Sequence, residues 1–144
     1  MKKLLISLGT IVFAMNAVAT STLDQAKLNT VTKVYQTGNL YKYATPDFKK
    51  LLDKKAKYDK SHPCDDCVGH ESWIDGPSAQ DFPDSINPKF KLVEDKVYAT
   101  FLFFDERVTI KFSLDCNKNN QCLVSDFITA EGDSYKKSIM KYIK

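Results

Sequence analysis

The sequence predicts an α+β fold: N-terminal helices packed on a curved antiparallel sheet, with a short helix at the C-terminus. Three stretches carry that expectation. Leu28, Val31, Val34 and Tyr35 recur at helical spacing. Val108 to Asp115 alternates strictly, so Val108, Ile110, Phe112 and Leu114 line one buried strand face while Thr109, Lys111, Ser113 and Asp115 meet water. Tyr135, Ile139, Tyr142 and Ile143 fall again on one face of a helix.

Residues 1–19 read as a signal peptide. Met1-Lys2-Lys3 is basic, Leu4 to Val18 is uncharged and mostly apolar, and Ala17-Val18-Ala19 fits the small-x-small cleavage pattern. A run of about fifteen residues is short for a membrane span, which needs about 20. No span is therefore expected in the mature chain, residues 20–144, which begins at Thr20 and forms a single globular α+β domain. No cysteine follows the apolar run closely, which argues against a lipid anchor. The periplasm is the expected destination, with secretion to the medium as the alternative. All four cysteines lie in the mature part, an even number that suggests disulfides in an oxidising compartment.

The first helix is expected over about Leu23 to Thr37. Thr22 and Gln25 have the spacing of a capping box, and Gly38 sits where a helix end wants a left-handed residue. Thr45-Pro46-Asp47 then reads as N-cap, N1 proline and first-turn acid of a second helix. Phe48, Leu51 and Leu52 form its apolar stripe, and Lys49, Lys50, Lys54, Lys55, Lys57 and Lys60 its solvated face.

Ser61 to Pro88 is a different kind of segment. Pro63, Gly69, Gly76, Pro77, Pro83 and Pro88 exclude a long regular element. It carries Asp65, Asp66, Glu71, Asp75, Asp81 and Asp84 but no Lys or Arg. Loops of this length are uncommon unless functional or disordered. Trp73, Ile74, Phe82 and Ile86 argue for packing. Phe90, Leu92 and a turn at Glu94-Asp95-Lys96 lead into a meander. Its first strand, Val97 to Phe104, is apolar on both faces, as in a strand covered on both sides. Asp105-Glu106-Arg107 and Asn117 to Gln121 are the polar turns before the strands at Val108 and at Cys122 to Ile128. Gly132-Asp133-Ser134 opens the last helix.

The leading helix, the Trp73…Gln80-Asp81-Phe82-Pro83 stretch, the hydrophobic strands and Val124-Ser125-Asp126-Phe127-Ile128 before a terminal helix resemble small secreted bacterial proteins of unknown function with a nuclear transport factor 2-like cone fold. The resemblance covers about residues 23 to 143. It implies a curved sheet wrapped on helices around a pocket, and it carries over no catalytic residue.

Cys116 and Cys122 flank a five-residue polar turn, within disulfide reach in paired strands, and are expected to staple the hairpin and pin the register of the meander. His62-Pro63-Cys64-Asp65-Asp66-Cys67-Val68-Gly69-His70 admits three readings. The leading one is a local Cys64–Cys67 disulfide that tightens the acidic loop. Another is zinc or copper on His62, Cys64, Cys67 and His70, whose ligand types suit it but whose spacing is crowded. The third is a redox dithiol, which Pro63, Asp65 and Asp66 disfavour, because such a thiol wants a positive environment. No His follows Cys67 directly, so the pair is not a c-type haem site. No Gly-x-Ser-x-Gly or phosphate-cradling glycine loop is present. Asp126, set among apolar residues, is the best acid or base candidate, although a strand-end aspartate more often bonds to backbone.

The formal charge of +3 is too small to argue for nucleic acid. The expectation is a non-catalytic periplasmic binding protein with no cofactor, of an inhibitor or immunity type that blocks a toxin or cell-wall enzyme. Asp65, Asp66, Glu71, Asp75 and Asp81 would draw a protein partner with a basic surface, with Trp73 and Phe82 as anchors. The bland alternative has Trp73 and Phe82 filling the domain's own core. The rival function is a small-molecule or enzymatic site in the cone pocket.

Overall fold

The computed structural model describes residues 20–63, 87–103 and 105–144. The elements run α1 (Thr22–Thr37), α2 (Leu40–Tyr43), α3 (Pro46–Ser61), β1 (Lys89–Val93), β2 (Lys96–Phe103), β3 (Glu106–Cys116), β4 (Cys122–Ile128) and α4 (Tyr135–Tyr142). The strands form one antiparallel sheet in sequence order, with the helices packed against it, so the class is α+β. The signal-peptide reading concerns residues outside the described ones.

Helix α1 starts one residue before the expected Leu23, because Ser21 and not Thr22 is its N-cap. Ser21 has an extended backbone and its Oγ accepts from the Asp24 N–H at 3.1 Å. Gly38 ends the helix at φ 59°, a left-handed conformation that costs a residue without Cβ nothing. Helix α3 opens as its sequence predicts, with Pro46 at N1 and the Thr45 hydroxyl capping the Phe48 N–H. Helix α2 is an unpredicted single turn capped by Asn39; four residues are too few to show a period.

Strand β1 also exceeds expectation: its Lys-Phe-Lys-Leu alternation is in the sequence, but it is too short to fix a strand until it pairs with β2. Two turns are tighter than expected. Val93 pairs with Lys96, so Lys96 already belongs to β2; Phe103 pairs with Glu106, so Glu106 and Arg107 already belong to β3. A bulge lies between Ser113 and Leu114 in the β3–β4 pairing, where Ser125 is the extra residue.

The core lies between the helices and one face of the sheet. Val31, Val34, Val97, Ala99, Phe101, Ile110, Phe112, Val124 and Phe127 are all buried there. The Tyr35 ring stands 5.5 Å from Phe90, 6.0 Å from Phe101 and 5.9 Å from Phe112, while Phe127 stacks on Tyr135 at 4.5 Å. Burial of such rings is the main stabilising term. The Tyr35 hydroxyl is buried with no hydrogen-bond partner among the described residues, and burial pushes its pKa far above the ordinary 10.0. Lys27, only 5% exposed, reaches from α1 to an ion pair with Asp95 in the β1–β2 turn.

Strand β4 is tied along its outer edge. Thr30 Oγ donates to the Cys122 carbonyl at 3.1 Å, and the Thr45 N–H donates to the Val124 carbonyl at 2.8 Å. Ile128 bridges to Ser134. Among the described residues no element covers the face of β2 opposite the helices, where the sequence predicts a strand covered on both sides. Leu102 is 62% exposed, and Tyr98 and Thr100 are half-buried. The doubly apolar run arose because Tyr98 and Leu102 sit on a face that is not core.

Candidate docking face on the outer side of the sheet

Strand alternation sends Tyr98, Thr100 and Leu102 of β2 away from the helices, and the register places their neighbours. Tyr98 lies between Lys91 of β1 and Lys111 of β3; Thr100 lies between Lys89 and Thr109; Leu102 faces Arg107. Each of these three rows thus presents at least one cation and no carboxylate from β1, β2 or β3. Arg107 is the chain's single arginine. Its planar guanidinium suits two-pronged recognition of a carboxylate or phosphate.

A groove of about 530 Å³ opens at the end of this face, lined by Asn87, Lys89, Thr100, Phe101, Leu102 and Arg107. Lys89, Leu102 and Arg107 are exposed. The Thr100 and Thr109 hydroxyls lie 3.1 Å apart, and the Lys111 ammonium sits 5.4 Å from the Tyr98 ring centroid. The face therefore combines paired hydroxyls, an exposed leucine and cations that have no ion-pair partner among the described residues. Such a face can hold an anionic, partly apolar surface.

Two other concavities are more mixed. A groove of about 690 Å³ beside the β3–β4 hairpin brings Asp47, Asp115 and Lys136 together. A smaller one between α2 and α3 holds Asp53, Lys55 and Asp59; there the Asp53 carboxylate raises the pKa of Tyr41, whose hydroxyl donates to it at 3.3 Å.

The residues singled out by sequence fall differently. Cys116 and Cys122 stand opposite one another and form a disulfide, Cα to Cα 4.0 Å. Asp126 is a helix cap: its Oδ2 accepts from Ser134 Oγ at 2.5 Å and its Oδ1 from the Lys136 N–H at 3.1 Å. His62 ends α3, stacked on Tyr58 at 4.0 Å, with Nδ1 3.1 Å from the Tyr58 carbonyl oxygen. Cys64, Cys67, His70 and the acidic-loop residues Asp65, Asp66, Glu71, Trp73, Asp75, Asp81 and Phe82 lie outside the described residues. Among the described residues no three of His, Cys, Asp and Glu gather to hold a metal ion, and no helix is long and apolar enough to cross a membrane.

No family model, curated protein or solved structure matches the chain.

Sequence reasoning missed the basic sheet face. Its signal was present in Lys89, Lys91, Arg107 and Lys111. Without the register, however, these read as scattered polar residues of separate strands and turns.

Proposed function

We propose that this chain is a non-catalytic binding protein of the periplasm, of an inhibitor or immunity type, which holds a protein partner on the outer face of its sheet. The carrying observation is Leu102, 62% exposed within the groove that also contains Lys89 and Arg107. An apolar residue ringed by polar and charged groups has the anatomy of a protein interface. The Cys116–Cys122 disulfide supports an oxidising compartment. The likeness to nuclear transport factor 2-like cone proteins belongs to this reading, supported by the helices-first order and by the bulge at Ser113, which bends a sheet. The rival pocket reading has less support, because aromatic rings occupy the space between α1 and the sheet.

Site-directed photo-crosslinking in cells that make the protein tests the reading. A crosslinker at Leu102 is expected to trap one discrete species, which a crosslinker at Lys50 on the exposed side of α3 does not trap. Identical adduct patterns from both positions would refute the reading.

A further inference from the structure

We propose that the outer sheet face binds an extended acidic polypeptide segment whose carboxylates recur at every second residue and are followed by an apolar residue. This deepens the docking reading above and rests on it.

The register dictates the pattern. Successive outward rows on β2 are two residues apart, about 6.7 Å along the strand. The Tyr98 row carries Lys91 and Lys111, the Thr100 row carries Lys89, and the Leu102 row joins an exposed leucine to Arg107. An extended segment lying along β2 turns every second side chain toward the sheet at the same spacing. Its facing residues would then be an acid against Lys91 and Lys111, an acid against Lys89, and an apolar side chain against Leu102. Arg107, beside that last position, is placed to take a further carboxylate from the same segment.

The features that favour a polypeptide over a nucleic acid or a sulfated glycan are the leucine and the tyrosine. Polyanions without apolar groups gain nothing from Leu102. A base-stacking platform needs an open aromatic face, whereas the Lys111 ammonium lies 5.4 Å from the Tyr98 ring centroid. The pairs are exposed, so each contributes little alone. Selectivity comes from matching several in one register.

Fluorescence anisotropy with the full mature chain tests this. The first probe is a short labelled peptide of alternating Glu and Ser ending in Leu. The second has the same composition with its Glu residues made consecutive. The alternating peptide is expected to bind at least about fivefold more tightly at low salt, and the gap should shrink as salt screens the charges. Lys89→Gln with Lys91→Gln, both at exposed positions, should abolish the preference and leave the melting temperature unchanged. Leu102→Ser should weaken the alternating peptide without removing its salt dependence. Equal binding of the two peptides overturns the proposal. Tighter binding of a single-stranded oligonucleotide or of dextran sulfate than of the alternating peptide also overturns it, in favour of a general polyanion site. If crosslinking at Leu102 still traps one species while the peptides fail to discriminate, this inference falls and the docking reading stands; loss of the crosslink overturns both.

Discussion

Ser134 donates its hydroxyl proton to Asp126 Oδ2 at 2.5 Å while its own Oγ accepts from the Lys137 N–H at 3.2 Å. Asp126 Oδ1 also accepts from the Lys136 N–H. Asp126 of β4 and the N-cap Ser134 thus satisfy two of the free N–H donors at the start of α4, and the Ser134–Asp126 bond ties that end to β4. Asp126→Ala should cost about 1–2 kcal/mol, measured by urea denaturation. An unchanged midpoint would show that α4 is held by Tyr135 and Ile139 alone.

The Cys116–Cys122 disulfide closes a short loop, so its entropic contribution should be modest. Replacing both with Ser should lower stability by about 2 kcal/mol. Mass analysis of the native protein, before and after reduction, should show the gain of the two hydrogens from this pair in the hairpin peptide. Free thiols at both positions in native protein would contradict the structure.

Tyr35 offers a test with two readouts. Its hydroxyl is buried without a partner among the described residues, so Tyr35→Phe should raise stability, by about 1 kcal/mol. Its phenol also has a raised pKa in the folded chain because burial disfavours the phenolate. Above the ordinary value of 10.0 the unfolded chain loses this proton and the folded chain keeps it, so stability should fall as pH rises past that value. Tyr35→Phe should flatten that fall. A pH dependence identical in the two proteins would show that other groups cause it.

The Lys27–Asp95 pair joins α1 to the β1–β2 turn, but the Asp95 side chain is 86% exposed. Asp95→Asn should therefore cost less than about 1 kcal/mol, and less still in high salt. Lys27→Met keeps the buried stem and removes the charge, so it should be near neutral. A loss of several kcal/mol from either change would mean that the pair governs folding of the hairpin.

Periodicity made much of this fold legible. The Val108 to Leu114 alternation, the Thr45-Pro46 helix start and the Tyr135/Ile139 stripe each carry their signal locally, within one element. The true cap at Ser21 and the short α2 were hidden because one residue of offset, or one turn of helix, leaves little pattern. The docking face was hidden for a different reason. Lys89, Lys91, Arg107 and Lys111 become one surface only through pairing across three strands, and pairing is not a local property of sequence. Likewise Asp126 found its partner on the far side of a turn.

The ties along β4 have a consequence for how copies of this chain meet. Thr30, Thr45 and Ser134 engage that edge at Cys122, Val124 and Ile128, so no foreign strand can zip along it. Head-to-tail sheet growth needs two open edges on every subunit. Here, even if β1 accepts the β1 of another copy, the pairing is self-complementary and stops at a closed pair. Edge-to-edge pairing through the described strands is thereby a terminating event, and crowding cannot extend it into filaments by that route.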